Sequence, residues 1–486
     1  MRAKFLTRIL LILCIVPLFF LVACNREGDN GAVDTGADSV AAADARAQIH
    51  GHVRFADYSW NESPNHEEFL QRFMDMYPNI TVERVWVPYD MANQLTAWAA
   101  AGDLPCVAIG WDYLPFYATQ GWLHPLCDFV ANDPDAQWMP EFYLEAFTFN
   151  GMLYAVPAYF QFNGVMINLD LLDQLNEDPP PFDWTIDEFL RLAHVATTTT
   201  TSGFTWSPIS QYFTGQFDPD MGMRGFNTTT RRFEFSHPSW ARTVNMDLEL
   251  RAVPGLLSDW MSDEDHARKF GEGTDALGAG LVLMAPIATW NWSWARHMAF
   301  NFEIWPQPSD PSVGSRFPIH ADFGFMLSTA QYPEAAYALL RYLTFSTEGT
   351  LSRLYMDNNF REYDDDGVFT GYATPHWILP SNGSPEVLAV IRQMGDDGII
   401  PGGFIYQFEN MATAGFIGDW QKWIPNFWPI LEPFWSIFYD RVVPGEIAAS
   451  AVAAELDEII NANLDREMAE FERIMADVQA EFAARQ

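Results

Sequence analysis

Acidic and aromatic side chains supply most of the chemistry available to this chain of 486 residues, which has 64 Asp and Glu and 19 Trp. Two carboxyl groups roughly 5 to 10 Å apart could hydrolyse a glycosidic bond, but among so many acidic residues no pair stands out by its spacing. The motifs of serine hydrolases, zinc proteases and phosphate-binding loops are missing from the sequence. We therefore predict a protein that is not an enzyme and has no metal or other cofactor, and we keep a glycoside hydrolase as an alternative.

A cysteine with its own chemistry lies near the N-terminus. Residues 1–23 begin with basic side chains, continue with an apolar run from Ile9 to Leu21 and lead into Leu21-Val22-Ala23-Cys24. This pattern is typical of a secretory signal and resembles the lipobox of bacterial lipoproteins. The resemblance implies cleavage before Cys24 and a diacylglyceryl group on its thiol, which would anchor the protein outside the cytoplasmic membrane. An uncleaved anchor is the weaker alternative, because the apolar run is short for a spanning helix.

Cys106 and Cys127 are the other two cysteines of the mature chain. In an oxidising compartment they could form a disulfide. They could equally be two buried thiols, so both alternatives stay open.

Length and charge limit the fold and the partners. A chain of this length exceeds what one hydrophobic core usually supports, so we expect two domains. The net charge of −37 argues against nucleic acid and anionic membrane surfaces as partners, because binding to either requires a basic face. Residues 25–48 are rich in Gly, Ala and Asp and lack large apolar side chains, so residues 24–48 are predicted to be the lipidated cysteine and a flexible tether behind it.

Strand and helix patterns alternate from residue 53 to about residue 120. The predicted strands are Val53–Ala56, Ile80–Val87 and Cys106–Gly110, and a helix pattern follows each of them. This alternation predicts a parallel sheet with crossover helices. Ligands of such sheets bind beyond the carboxyl ends of the strands. The loops after the first and third strands each contain Trp and Asp, which makes Trp60, Trp111 and Asp112 candidate ligand contacts.

Residues 151–172 are predicted to connect one lobe to the next. We expect a short strand, Leu153–Val156, to stop at Pro157, because proline cannot donate a hydrogen bond to a central ladder. Polar Gln161 and Asn163 then precede a second apolar run. A polar break between two buried strands indicates a hinge or the edge of a ligand site, and an ordinary surface loop is the alternative.

Aromatic clusters mark three later parts of the chain. Trp290, Trp292 and Trp294 fall within five residues, and four further tryptophans lie between 420 and 435. The loop-rich region around Tyr212 carries several aromatic side chains, for which satellite packing under long loops is the alternative to ligand contact. After Gly445 an apolar stripe at helical spacing predicts a long amphipathic helix that packs on the body of the protein.

At this point the sequence resembles a known family, the extracellular solute-binding proteins of bacterial ABC transporters, and within it the maltose and oligosaccharide type (family 1). The resemblance extends from about Val53 to Leu464. It rests on these segments in order: Glu68-Phe69, Tyr77–Val82, Ala99–Pro105, Gly121–Leu126, Asn150-Gly151, Tyr154–Pro157, Asn168–Leu172, Trp184-Thr185, Glu188-Phe189, Glu334–Ala336 and Ser346–Gly349. The sequence departs from the family pattern at Cys106, between Phe204 and Met261, and after Leu464.

The resemblance implies an α/β, two-lobe periplasmic-binding-protein-like fold (type II), with a hinge between the lobes and a long C-terminal helical segment. The expected division is a signal peptide (1–23), a lipidated tether (24–48), lobe 1 (49–157 plus 323–356), lobe 2 (158–322 plus 357–444) and a C-terminal helical tail (445–486). Closure of the lobes about the hinge would hold the ligand.

The resemblance also implies a set of ligand contacts. Asp112 stands nine residues before Gly121, as the sugar-binding Asp of the maltose class does before its Gly, and Gln161 falls where that class has a Glu contact. Trp290 or Trp292, and Trp435, fall near its stacking aromatics. The complete predicted set is Trp60, Trp111, Asp112, Gln161, Tyr212, Trp290, Trp292 and Trp435.

These expectations combine into one predicted function. Sugars offer C–H faces for aromatic stacking and hydroxyls for carboxylate and amide groups. We therefore expect a lipid-anchored, extracytoplasmic, monomeric protein that captures a carbohydrate and delivers it to the permease subunits of an ABC transporter. Besides the hydrolase, the alternative is a binding protein for a non-sugar solute such as a peptide or a polyamine.

Overall fold

The structure, a computed structural model, describes residues 44–485 except 58–63, 88–90, 206–212, 292–294, 296, 360, 364–368 and 373–378. The strands are β1 (Gly51–Asp57), β2 (Ile80–Trp86), β3 (Val107–Gly110), β4 (Thr148–Phe149), β5 (Met152–Leu153), β6 (Val156–Asn168), β7 (Ser202–Phe204), β8 (Phe226–Asn227), β9 (Arg232–Phe233), β10 (Val282–Ala288), β11 (Phe302–Pro306), β12 (Phe317–Met326), β13 (Arg361–Tyr363), β14 (Phe369–Tyr372), β15 (Leu379–Pro380) and β16 (Gly415–Ile417). The helices are α1 (Pro64–Met76), α2 (Met91–Ala101), α3 (Leu114–Thr119), α4 (Cys127–Ala131), α5 (Glu141–Ala146), α6 (Leu169–Gln174), α7 (Ile186–Val195), α8 (Pro238–Ala252), α9 (Asp263–Phe270), α10 (Pro333–Leu343), α11 (Thr347–Asn359), α12 (Pro385–Asp396), α13 (Gly402–Ala414), α14 (Phe427–Ile437) and α15 (Ala449–Arg485).

One mixed sheet runs through the protein in the order β2-β1-β3-β12-β6-β10-β7. Strand β1 pairs in parallel with β2 and β3, as the alternating pattern predicts. Strand β12 is antiparallel to both β3 and β6, and β6 continues as the antiparallel partner of β10 and β11. The two strands β6 and β12 therefore join the two ends of the sheet. We call their paired residues, 156–162 with 319–324, together with the adjoining Asn163, the strand crossing.

The prediction that a short strand stops at Pro157 is wrong. Strand β6 starts at Val156 and includes Pro157, and each of its 13 residues is buried. The register with β12 shifts between Asp322 and Phe323, where Pro157 pairs with Phe323 and Tyr159 with Asp322. Proline is accommodated because it lies at this bulge near the strand end, where a ladder hydrogen bond is not required of it.

Gly164 shows why β6 can carry partners on both edges. A Cβ atom at this position would lie 2.5 Å from the carbonyl oxygen of Trp305 in β11. Only glycine permits this close approach without a shift of β11, so the residue fixes how β6 enters the second half of the sheet.

Three apolar clusters form the interior. The first core covers the β1–β3 end of the sheet, extends along the strand crossing and continues onto one face of β10 and β11 and onto helices α12 and α13. The second core packs α7 and the end of α8 on the β7–β10 region, and the third core joins the start of α8 to α14 and the first half of α15. Helix α15 confirms the predicted long C-terminal helix, and its stripe residues Val452, Leu456, Ile460 and Met475 are fully buried.

Several local predictions can now be compared with the structure. The sequence Thr185-Ile186-Asp187-Glu188 is a capping box and predicts the start of a helix. The Thr185 hydroxyl accepts the Glu188 N–H and caps α7, which confirms this prediction. Cys106 and Cys127 are free thiols, and burial raises the pKa of Cys106.

Of the predicted tether, residues 44–48 lie in the described part and form a helical turn. Arg46 of this turn forms an ion pair with Glu348. Among the described residues, no helix combines the length and the hydropathy needed to cross a membrane.

Candidate ligand-binding site at the strand crossing

Polar side chains interrupt two otherwise apolar strands at the strand crossing. Gln161 of β6 lies directly opposite His320 of β12, and Tyr159 lies opposite Asp322. Residues that are opposite in an antiparallel pair share one face of the sheet. The neighbours Phe160, Phe162, Ile319 and Ala321 point to the other face and join the first core. The sequence alternation thus gives the crossing one apolar face and one polar face.

The polar face is held by side-chain hydrogen bonds. The Gln161 amide donates to Asp322 Oδ2 at 3.5 Å, and its carbonyl oxygen accepts the hydroxyl of Thr289 at the end of β10. The Asn163 amide lies 2.6 Å from His320 Nε2. Burial, with the nearby positive charges of Lys422 and Arg224, lowers the pKa of His320 well below its usual value. A neutral His320 can therefore accept the Asn163 hydrogen bond through Nε2.

Trp290 places an exposed aromatic ring beside this network. It follows Thr289 in a short 3₁₀ turn, and 44% of its surface is accessible. The indole meets the imidazole of His320 edge-on, with ring centroids 5.6 Å apart. An accessible indole next to amide, carboxylate and imidazole groups offers a stacking surface and hydrogen-bonding groups in one place.

A gap in the sheet lies behind the same residues. Strand β3 ends at Gly110 opposite Phe323, and β16 pairs with β12 only from Phe317 to Ile319. Between them, Ala321 bonds to side chains: its N–H donates to Asp419 Oδ2 at 3.0 Å and its carbonyl accepts from Lys422 Nζ at 2.8 Å. Two side chains thus satisfy the backbone groups that a neighbouring strand would otherwise satisfy.

Lys422 organises the carboxylates of the crossing. Its ammonium also contacts Asp322 Oδ1 at 3.1 Å and Asp419 Oδ2 at 2.9 Å, so all three donors are used within the protein. Burial opposes the charge on Lys422, but Asp419 and Asp322 outweigh it and raise the lysine pKa. Burial raises the pKa of Asp419 to about 6, against the lowering effect of Lys422.

Asp112 lies just beyond the carboxyl end of β3. It is 5% exposed, and its Oδ1 accepts the N–H of Tyr113, whose φ of 66° is in the left-handed region. Burial raises the pKa of Asp112 to about 6, partly offset by that hydrogen bond and by the charge of Lys422. The charge of Lys422 thus lowers the pKa of both Asp112 and Asp419. The neighbouring Trp111 is half-buried and packs against the first core.

The predicted site residues therefore separate into groups. Gln161 and Trp290 belong to the polar face of the crossing, and Asp112 and Trp111 end the adjacent strand. Trp435 lies on α14, where its ring neighbours are Trp428, Phe434 and Tyr439. Trp60, Tyr212 and Trp292, like the lipidation residue Cys24, lie outside the described residues.

Sequence reasoning missed Thr289, His320, Asp322, Asp419 and Lys422. His320 and Asp322 do carry a signal, because they alternate with apolar residues in Phe317–Met326. Asp419 and Lys422 act on the backbone of a residue about 100 positions away, and no local pattern reveals such a contact.

Comparison with known proteins shows what the chain is similar to. Among solved structures, an ABC substrate-binding protein from Listeria monocytogenes in complex with cycloalternan matches with a TM-score of 0.62 and 16% identity, over 86% of this chain and 99% of that one. The cyclic α-maltosyl-1,6-maltose binding protein of Arthrobacter globiformis gives 0.61 and 15%, over 86% and 100%. The maltose/maltodextrin-binding domain of Bdellovibrio bacteriovorus bound to maltotriose gives 0.56 and 16%, over 85% and 100%. These likenesses show the two-lobe periplasmic-binding-protein-like fold.

The sequence was also compared with curated proteins and with protein-family models. No curated protein matches this sequence significantly. The family model for bacterial extracellular solute-binding proteins, however, matches residues 61–349, which is more than half of the chain. The chain therefore belongs to the bacterial extracellular solute-binding protein family.

Proposed function

We propose that this protein captures a sugar or oligosaccharide between its two lobes and delivers it to the permease of an ABC importer. The observation that carries the proposal is the accessible Trp290 ring beside the polar face formed by Gln161, Asn163 and His320. Sugar recognition needs this combination of a stacking surface and fixed hydrogen-bonding groups. The carbohydrate ligands named for structurally similar proteins support the same class of ligand.

The strand crossing would serve as the hinge and as the floor of the cleft. We propose the lobes as 49–157 plus 323–356 and 158–322 plus 357–444, followed by the tail 445–486. Rotation about β6 and β12 would bring Asp112, at the end of β3, towards Trp290, at the end of β10. A bound ring would then stack on Trp290 while its hydroxyls bond to Gln161 and Asp112.

The acidic groups of the crossing favour binding over hydrolysis. A glycosidase requires two carboxyl groups that reach opposite sides of one bond. Asp419 is 0% exposed and bonds to Lys422 and to the backbone of Ala321, so it cannot reach a ligand. Asp322 is held by the same lysine. These contacts support a structural role for both carboxylates.

Titration with a ligand panel tests the proposal. Thermal shift and calorimetry with mono- and oligosaccharides, peptides and polyamines should give saturable binding for a carbohydrate, since a ligand of the folded state raises the melting temperature. Trp290→Ala should weaken that binding at least tenfold. Trp260→Ala is the matched control, because Trp260 is 46% exposed but packs with Arg251 instead of the crossing. Binding of only peptides or polyamines would overturn the sugar assignment.

We also propose that Cys24 carries the lipid that holds the protein outside the membrane. Its support is the lipobox-like Leu21-Val22-Ala23-Cys24. In cell fractionation, the Cys24→Ala variant should be lost from the membrane fraction. If the variant remained there as fully as the parent, the lipoprotein assignment would be wrong.

A further inference from the structure

Helix α15 makes a second connection between parts of the protein that the strand crossing already joins. Its first half belongs to the third core through Val452, Leu456, Ile460 and Leu464. Its second half places Phe471 and Met475 in the first core. One unbroken helix of 37 residues therefore reaches both cores.

The first half of α15 is anchored by bonds to backbone. Both Asp457 oxygens accept N–H groups, from Phe235 and Ser236, and Asn461 pairs with the N–H and the carbonyl of Phe233. One turn further, Asp465 forms a two-bond ion pair with Arg232. Because these three side chains recur every four residues, one face of the helix is fixed along residues 232–236.

The second half of α15 rests on the segment 121–154. Phe471 meets Phe149 edge-on at 5.1 Å, and the Gln479 amide donates to the Phe149 carbonyl at 3.0 Å. Near the end of the helix, the Phe482 and His124 rings are 5.4 Å apart. This segment follows β3 and Asp112 in the first core.

The middle of the helix passes over a cavity of about 440 Å³. Leu464, Met468, Phe471 and Glu472 form one side of it. The other walls are residues 142–150, from α5 to β4, residues 226–231 around β8 and β9, and residues 415–424, which begin with β16. The helix is therefore held on both sides of this cavity, and between them Met468 packs against both cores and Glu467 accepts a hydrogen bond from Asn426.

The two ends of α15 contact different lobes of the proposed division, so this inference rests on that part of the proposed function. Helix α8, which the first half of α15 reaches through the third core, lies in the second lobe and contributes Trp240 and Val244 to the third core and Met246 and Leu250 to the second. The segment 121–154 lies in the first lobe. The two lobes, called the two bodies below, are thus joined at the strand crossing and also contacted by α15.

From these contacts we propose that α15 is a strut that sets the angle between the two bodies. A single crossing would allow rotation about β6 and β12, whereas a stiff helix attached to both bodies restrains that rotation. Between Leu464 and Met475 the strut spans about 17 Å at the rise of an α-helix. The proposal concerns the unliganded protein and does not depend on the nature of the ligand.

Two double substitutions, each replacing an Ala-Glu pair by Gly-Gly, provide a sharp test. Ala469→Gly with Glu470→Gly places flexible residues on the exposed face of the spanning segment, where no packed side chain is lost. Ala454→Gly with Glu455→Gly removes the same Ala-Glu pair, also exposed, inside the anchored half. The two variants carry similar losses of helix propensity, but only the first uncouples the ends of the helix.

The readout is the distribution of distances between the bodies. Spin labels are placed at two exposed positions, Thr96 of α2 and His194 of α7. They are attached through p-acetylphenylalanine, so the cysteines of the full chain stay unlabelled. Without ligand, the 469/470 variant should show a distribution at least twice as wide as the parent, and the 454/455 variant should match the parent. Equal distributions in all three proteins, or equal broadening in both variants, would overturn the strut. A second release variant, Gln479→Ala with Phe482→Ala, should broaden the distribution in the same way.

Discussion

The strand crossing and the α14 region are both rich in aromatic residues, but their rings have different neighbours. At the crossing, the accessible Trp290 lies against His320, which bonds to Asn163. In α14, Trp435 stacks on Tyr439 at 6.0 Å and lies beside Phe434. The first arrangement leaves a ring face and polar groups for a ligand, and the second uses ring faces for packing. Tryptophan density alone therefore does not distinguish a sugar site from a core.

The largest effect should come from removing the cation that organises the crossing. Lys422→Met leaves Asp322 and Asp419 buried without their partner, and loss of one member of a buried pair costs about 3 to 5 kcal/mol of unfolding free energy. Chemical denaturation measures this loss of unfolding free energy. Lys269→Met is the control, because Lys269 donates a hydrogen bond to the Gly255 carbonyl, and its loss should cost about 1 kcal/mol. Similar costs for both variants would contradict the central role of Lys422.

Trp435→Ala tests the other side of the comparison. The half-buried ring contributes to the third core, so its removal should lower the unfolding free energy by about 2 to 3 kcal/mol, somewhat below the cost for a fully buried tryptophan. Ligand affinity should stay near that of the parent. Calorimetric titration beside a denaturation curve separates the two roles. A tenfold loss of affinity would instead support the ligand stacking predicted for Trp435 from the sequence.

Asp112→Asn should have a smaller effect with a distinctive pH dependence. If ionised Asp112 accepts ligand hydroxyls, the amide variant should bind about tenfold more weakly at pH 7, since such bonds contribute about 1.5 kcal/mol or more. The parent should lose affinity as the pH falls through about 6, where Asp112 takes up a proton. The difference between parent and variant should therefore vanish towards pH 5, and a difference independent of pH would contradict the assignment.

The same residue gives a stability signature. Burial raises the folded-state pKa of Asp112 above its unfolded value, so between pH 4 and 6 the folded chain binds more protons and ionisation costs stability as the pH rises. The unfolding free energy of Asp112→Asn relative to the parent should accordingly increase from pH 4 to pH 6. Asp170→Asn is the control, because hydrogen bonds from Asn301 lower the pKa of Asp170, so the corresponding difference should not increase over this range.

How much the sequence predicts depends on how local the determining contacts are. The β1–β3 alternation, the Thr185 cap and the α15 stripe follow from neighbours within a few residues, and all three are confirmed. Pro157 was misjudged because its place in β6 depends on a bulge in β12, a strand 160 residues later. Gln161 and Asp112 were proposed as ligand contacts, but nothing local to them reveals that Lys422 acts on the same group of side chains.

The gap in the sheet beside Ala321 has a consequence for the behaviour of the protein at high concentration. An unpaired strand edge recruits foreign strands and promotes aggregation. Between β3 and β16, the edge of β12 is occupied by Asp419 and Lys422, which bond to the N–H and the carbonyl of Ala321. These side chains use the hydrogen-bonding groups that an incoming strand would need, and Ala321 itself is fully buried, so the interrupted edge is protected against edge-to-edge association.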